Sequence, residues 1–406
     1  MTAGAGRRLA PQAGSKAEGH AGLGGASTLM DVPRTGTFAY VESQETGRVL
    51  QQAEVVTRRE HTFAELTNRS PPGLVAGGRS HVSDPGQALS WSDPVRFLRM
   101  TEIEAEITAG LIRDLLRDQH PDLAGLPLRE VEGGWGNQMW RLGDELAVRI
   151  QRMDTDPDHQ LKERRWLPPL APRLPLPVPV PVRSGAPSER FPKLWTVMTW
   201  VPGLPLDHGV ITRGEHAADT LAAFLRALHV PAPAGAPVDT GRGAHPKDRT
   251  DGFDQFLDSL DADAIGSDAA DVRAVWDDAV AAPAWEGPPV WVHGDLHPAN
   301  VVVADGTLAG VVDFGDLFVG DPASDLASAW VLLPAGSAAR FFTAYAKADE
   351  ATIRRARGLA ALKSLFLMLM GQNGDRGLPG GKPTWGPAGR VALDRVLSER
   401  LTRFHE

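Results

Sequence analysis

The sequence predicts an α+β protein: a small sheet-rich lobe, then a larger helical lobe, behind a long extension with no core of its own. Three observations predict it. Strand-like runs cluster between residues 128 and 201, helix-period runs follow from residue 215 onward, and residues 1–99 carry no sustained hydrophobic period. Strands first and helices later is the pattern of an α+β chain.

In chain order, residues 1–99 are rich in Gly, Ser, Thr, Arg and Pro. Clusters such as Gly22-Leu23-Gly24-Gly25 and Ser70-Pro71-Pro72-Gly73 break any apolar pattern. Such a segment buries too little to offset its ordering entropy, so it is expected to be mostly disordered, with Gln51 to Leu66 as a marginal helix. At Met100 the pattern changes abruptly to an amphipathic helix with Ile103, Ile107, Leu111 and Leu115 on one face. That shift, with a methionine at the boundary, makes Met100 a candidate for the biological start codon, with a regulatory or targeting tail as the alternative for what precedes it.

Strands are predicted at Leu128 to Glu132, Gln138 to Leu142, Glu145 to Gln151 and Trp195 to Val201. The turn Gly133-Gly134-Trp135-Gly136-Asn137 joins the first two. A helix over Asp158 to Leu167 separates the third and fourth, followed by an extended connector, Pro168 to Pro181. The chain then passes from one lobe to the other near Pro202, giving an N-lobe over 100–202 and a C-lobe over 203–406. Helices are expected at Glu215 to His229, Phe253 to Leu260, Asp268 to Ala281, Asp321 to Leu333, Ser337 to Ala348, Thr352 to Met370 and after Pro387.

The chain has 406 residues, a formal charge of -9 and no cysteine. The acidity argues against a nucleic-acid binder, and the missing cysteines exclude disulfides, thiol catalysis and Cys-zinc sites. The best apolar run, Leu362 to Met370, is interrupted near its start by Lys363 and is too short for a bilayer. No apolar region follows Arg7-Arg8 as a secretion signal requires. The expectation is a cytoplasmic protein with no membrane, nucleic-acid or obligate protein partner.

The chemistry is concentrated in His293-Gly294-Asp295-Leu296-His297-Pro298-Ala299-Asn300 and Asp313-Phe314-Gly315. Asp295 and Asn300 have the D-x-x-x-x-N spacing of a kinase catalytic loop. The apolar runs Val301-Val302-Val303 and Gly310-Val311-Val312 form a hairpin that returns the chain to Asp313. Asn300 and Asp313 would then lie close together and offer an amide and a carboxylate to magnesium, a hard cation that prefers oxygen.

With these motifs, the chain from Met100 onward resembles the aminoglycoside phosphotransferase family, which shares the protein-kinase-like fold. Beyond the catalytic loop and Asp313-Phe314-Gly315, the matching pieces are Gly133 to Asn137 with Trp140-Arg141-Leu142-Gly143, Leu146 to Ile150, Glu163 to Pro168, and Gly320-Asp321-Pro322-Ala323-Ser324-Asp325-Leu326-Ala327. The resemblance implies Asp295 as the catalytic base or hydroxyl-orienting group, and Asn300 and Asp313 as magnesium ligands. It places Arg149 where protein kinases carry a phosphate-gripping lysine, with Glu163 as its partner. It further implies a phosphate-covering loop including Gly134 and Asn137, and an adenine edge met by backbone near Thr199 and Val201. The implied activity is magnesium-dependent transfer of the γ-phosphoryl of ATP or GTP to the hydroxyl of a small molecule, an aminoglycoside-type antibiotic kinase. Macrolide, choline, homoserine or sugar kinases of the same fold, and a nucleotide-binding pseudokinase, are the alternatives.

Simpler roles compete for several residues. His293 and His297 are expected to support the loop backbone. Asp321, before Pro322, reads as a helix cap, and Asp325 as structural. His229 reads as a cap or core residue. Asp207, His208 and Glu215 are expected to be solvated, and Trp385 to edge a substrate pocket. A protein kinase is disfavoured because no Ala-Pro-Glu follows Asp313.

Overall fold

The computed structural model describes residues 107–131, 133, 136–152, 158–265 and 268–398, together with 41–42 and 49–50. The last two pairs are short antiparallel strands, β1 (Val41–Glu42) and β2 (Val49–Leu50). The expected disorder of residues 1–99 and the marginal helix at 51–66 otherwise lie outside the described residues.

The first described helix, α1 (Ala109–Gln119), starts later than the predicted opening at Met100. Thr108 is extended and its side chain accepts the Leu111 N–H, so it caps the helix there and leaves Ile107 before it. Ile112, Leu115 and Leu116 are buried against the sheet, sharing one apolar cluster with Trp140, Leu142, Val148, Ile150, Trp195 and Val197.

That sheet contains β3 (Leu128–Val131), β4 (Asn137–Leu142), β5 (Leu146–Gln151), β6 (Pro181–Gly185) and β7 (Trp195–Thr199), fully antiparallel in the order β3-β4-β5-β7-β6. Helix α2 (Asp158–Leu170) crosses between β5 and β6 and runs through Pro168 and Pro169, correcting the expected break at Pro168. Each proline removes a helical donor and crowds the carbonyl four residues before it, but both fall in the last turn, and the burial of Leu167 and Leu170 holds that turn in place. Strand β6 begins at the last proline of the expected connector and was not foreseen.

The chain leaves the sheet after Thr199 and enters the second lobe at β8 (Leu204–Pro205). Gly203 makes this crossing possible: its φ is +129°, and a Cβ there would lie 2.5 Å from Val302 Cγ1 and 2.7 Å from the Val303 carbonyl oxygen. The helices that follow are α3 (Gly214–Leu228), α4 (Thr250–Ser259), α5 (Ala262–Ile265) and α6 (Ala269–Val280). Strands β9 (Val290–Val292), β10 (Val301–Ala304), β11 (Thr307–Val311) and β12 (Phe318–Gly320) pair as β11-β10-β8 and β12-β9.

The predicted helix over Asp321 to Leu333 is divided into α7 (Ala323–Leu326) and α8 (Ser328–Val331). Next come α9 (Ala338–Tyr345), α10 (Glu350–Asp375) and α11 (Trp385–Ser398). Asp349 caps α10 by accepting the Thr352 N–H at 2.7 Å. The helix outruns its predicted end at Met370 because it packs on α11 through backbone: a Cβ on Gly371 would fall 2.2 Å from Gly386 Cα. No described helix is long and apolar enough to cross a membrane.

Candidate active site

The loop between β9 and β10 holds His293 to Asn300, and four independent anchors fix it. The backbone N–H groups of His293 and Gly294 donate to the Asp325 carboxylate at 2.7 and 3.0 Å. His293 accepts the Asp295 N–H on Nδ1 (3.2 Å), so its Nε2–H faces the Val312 carbonyl at 3.0 Å. The His293 ring also sits edge-on to Phe314, with centroids 4.6 Å apart. His297 accepts the Ala299 N–H through Nδ1 at 3.3 Å. Both histidines therefore support the backbone, as expected.

Asp325 is fully buried. Burial alone would raise its carboxyl, but the His229 hydrogen bond and charge, with the Gly294 N–H, hold it below the usual carboxylate range. His229 Nε2 lies 3.2 Å from Asp325 Oδ2, and its Nδ1 lies 2.8 Å from the Tyr345 hydroxyl. The structural expectation for both residues stands, and Asp325 proves to be the anchor of the catalytic loop. Asp321 caps locally by accepting the Ala323 N–H at 2.9 Å, and it also pairs with Arg355 at 2.7 Å.

Asp295 is buried at the centre of the loop. Its Oδ1 faces Lys363 Nζ at 2.7 Å and Arg242 Nη1 at 3.7 Å, and its Oδ2 faces His297 Nε2 at 3.5 Å. Burial works to raise this carboxyl, yet Lys363, His297 and Arg242 outweigh it and hold it well below the usual carboxylate range. Asn300 turns its amide Nδ2 toward Asp295, donating to its carbonyl (2.9 Å) and to Oδ2 (3.3 Å). The amide oxygen is left over.

The hairpin of β10 and β11 closes as the spacing predicts. Val301 pairs with Val311, and Val312 N–H donates to the Asn300 carbonyl at 2.9 Å, so Asn300 and Asp313 stand on facing strands at the same open end of one ladder. Asp313 adopts a left-handed conformation (φ 63°, ψ 72°), which costs a non-glycine residue about 1 kcal/mol or more. Its carboxylate has no hydrogen-bond or ion-pair partner among the described residues. An oriented amide oxygen and a carboxylate free of protein partners make a donor set that fits a magnesium ion completed by water and phosphate oxygens.

Arg149 on β5 and Glu163 on α2 form a buried ion pair, as the sequence implied. Burial would lower the Arg149 pKa, but Glu163 and Asp313 outweigh it and keep the guanidinium firmly charged. Asp313 is therefore close enough for its field to reach the pair across the lobes. Asn137 opens β4, and its side-chain oxygen is buried without a partner among the described residues. A Cβ at Gly133 would fall 2.4 Å from the Asn137 carbonyl oxygen, so this turn needs a glycine. Gly134 lies outside the described residues. At the lobe crossing, Thr199 gives its N–H to Val180 (2.9 Å), whereas the Val201 N–H has no partner among the described residues.

Several residues escaped the sequence reading. Lys363 had registered only as an interruption in an apolar run, and that lone charge was the signal. Arg242, which also pairs with Asp316 at 2.8 Å, carried no motif. Asp207 is corrected: it is buried rather than solvated, and its Oδ2 accepts the Trp385 indole N–H at 3.1 Å. Trp385 in turn lies on His297, with centroids 4.6 Å apart.

Residues 127–359 match the profile of the Phosphotransferase enzyme family (APH). The chain belongs to that family. As a family member it is a phosphotransferase with a kinase-like fold. A second profile, a domain of unknown function (DUF5753), matches residues 13–73. Among solved structures, the GDP complex of wild-type aminoglycoside 2'-phosphotransferase-IIIa aligns with a TM-score of 0.52 at 19% identity, covering 71% of this chain and 97% of that one. The GDP and kanamycin complex of APH(2")-IIia gives the same score and identity over 70% and 97%. The macrolide 2'-phosphotransferase MphH from Brachybacterium faecium aligns at 24% identity and a TM-score of 0.46, over 70% and 97%. A search of curated proteins by sequence finds no match.

Proposed function

We propose that this phosphotransferase moves the γ-phosphoryl of ATP or GTP to a hydroxyl of a small molecule, with Asp295 addressing that hydroxyl. The observation that carries the reading is the hairpin register, which sets an amide already fixed by Asp295 opposite a carboxylate with no protein partner. Asn300 and Asp313 would hold magnesium, which when bound neutralises phosphate charge between donor and acceptor.

Asp295 accepts a hydrogen bond from the acceptor hydroxyl and aligns its oxygen with the γ-phosphorus. As that P–O bond forms, the bond to the β,γ-bridging oxygen breaks, the hydroxyl proton passes to Asp295, and ADP or GDP leaves. A carboxylate held this far below its ordinary range is a weak base. It therefore acts chiefly by alignment, which suits a loose transition state in which the proton moves late. Arg149, oriented by Glu163, supplies a guanidinium for the donor phosphates, and the turn containing Gly134 and Asn137 covers them. The Val201 N–H offers the donor base a backbone contact.

The resemblance leaves aminoglycosides, macrolides, choline, homoserine and sugars as candidate acceptors, and the charge around Asp295 bears on the choice among them. Two of the solved relatives are described as a GDP complex and as a GDP and kanamycin complex, which supports a nucleotide donor and a hydroxyl-rich acceptor. The test is acceptor-stimulated ADP or GDP release by the full chain across those classes, with Asp295→Asn as control. Release that the control abolishes supports the reading. Release that persists in the control removes Asp295 from the reaction.

A further inference from the structure

The acceptor side of Asp295 carries a charge arrangement that bears on which small molecules it accepts. Residues 359–370 of α10 contain one charged side chain, Lys363, in a mostly buried stretch that is apolar apart from Ser364. A lysine in such a place is costly unless it is paired, and it is paired with Asp295. Asn300 approaches Asp295 from the hairpin side, through Oδ2. Lys363 and Arg242 approach through Oδ1, from the helical lobe, where an acceptor would enter.

Among the described residues, the carboxylates around Lys363 and Arg242 each have a cation beside them. Asp295 has Lys363 and Arg242, Asp316 has Arg242 at 2.8 Å and His159 at 3.4 Å, and Asp239 lies 3.8 Å from Arg242. Asp207, beyond Trp385, presents no open oxygen: Oδ1 is buried and Oδ2 holds the indole. One cation is left over. Arg249 donates weakly to the Arg242 carbonyl at 3.5 Å and has no carboxylate within ion-pair distance among the described residues. Burial and the neighbouring Arg242 lower its pKa to about 10, so it remains charged at neutral pH.

We propose that Lys363, with Arg242 and Arg249, selects acceptors whose groups beside the reacting hydroxyl are neutral or anionic and discriminates against polyamine sugars. This rests on the reading of Asp295 as the residue that addresses the acceptor. An ammonium next to the hydroxyl would meet Lys363 and Arg242 at contact range with no uncompensated carboxylate to offset them, whereas a carboxylate or phosphate there meets Arg249.

The test is binding, so it does not depend on turnover. The full chain with MgADP is titrated with kanamycin and with fully N-acetylated kanamycin, which keeps the hydroxyls and removes the charges. The wild type is expected to bind the acetylated form at least as tightly as kanamycin. Lys363→Met is expected to shift that preference toward kanamycin by about tenfold, the size of a solvent-screened like-charge contact. Lys363→Arg should retain the wild-type order, and Arg249→Gln should shift it in the same direction as Lys363→Met by a smaller factor. A wild type that prefers kanamycin tenfold or more, a preference unmoved by Lys363→Met, or no kanamycin binding once Lys363 is removed, each overturns the proposal. MgADP titration of the same samples tests the donor side separately: its failure counts against the phosphoryl-transfer reading and leaves the charge comparison intact.

Discussion

Two carboxylates frame the candidate transfer site, and the protein treats them oppositely. Asp295 sits in a loop pinned through Asp325, His293 and Asn300, and its own oxygens face Lys363, Arg242 and His297. Asp313, just past the returning strand of the adjoining hairpin, sits in a left-handed conformation with no protein partner among the described residues. The first arrangement suits a group that must hold one position while a hydroxyl is aligned against it. The second suits a ligand whose partner comes from outside the chain. The contrast therefore predicts that changes in the pinned loop disturb stability or turnover, whereas changes at Asp313 disturb magnesium-nucleotide binding alone.

The largest effect is expected at the pinned carboxylate. Asp295→Asn should lower turnover about a thousandfold, within the usual range for a positioned acid or base, with MgADP affinity unchanged in titration. Comparable loss of nucleotide affinity would merge the two carboxylates into one role. Next is the anchor beneath the loop. Asp325→Asn should destabilise the fold by about 3 kcal/mol in denaturant unfolding, because it leaves His229 and two backbone donors facing a neutral amide.

Asp325 also ties stability to pH. Its carboxyl is held below its ordinary value of 3.8 in the folded protein, so the unfolded chain takes up the proton first on acidification. The stabilisation is complete above about pH 4 and is lost as the pH falls through the folded value. Denaturation midpoints measured down that range should fall more steeply for the wild type than for Asp325→Asn. Parallel curves would show that the anchor does not need its charge.

The opposite behaviour is expected at the free carboxylate. Asp313→Asn keeps a residue tolerant of the left-handed conformation and should leave stability within about 0.5 kcal/mol, while weakening magnesium-dependent nucleotide binding by about tenfold or more. A large loss of stability would reveal a structural partner and erase the contrast. The smallest effect is expected at the rim: Trp385→Phe removes the indole donor to Asp207 and should cost about 1 kcal/mol, read as a modest drop in Tm.

Much of this was legible in the residues. Asp295, Asn300 and Asp313 announce themselves because a catalytic loop and its hairpin are local: spacing along the chain fixes spacing in space, and two short valine-rich runs around a tight turn bring the strands together. The pairing of Arg149 with Glu163 followed from resemblance, and α2 delivers it. Element types along both lobes were readable from their periods, with boundaries moved by particular contacts such as the Thr108 cap and the Gly371–Gly386 approach. Asp325 was recognised as structural but its partners were not, since His293 lies 32 residues before it.

The sequence by itself determined the lobes, the loop proposed to carry the reaction and the two residues proposed to hold magnesium, because each depends on short-range order. Only the tertiary structure decided what surrounds Asp295 on its acceptor side. Lys363 is 68 positions away and Arg242 more than 50, and no period or motif links them to the loop. They arrive there because the helical lobe folds their elements against it. A partly buried lysine is favoured beside a carboxylate, and which carboxylate it meets is settled by packing.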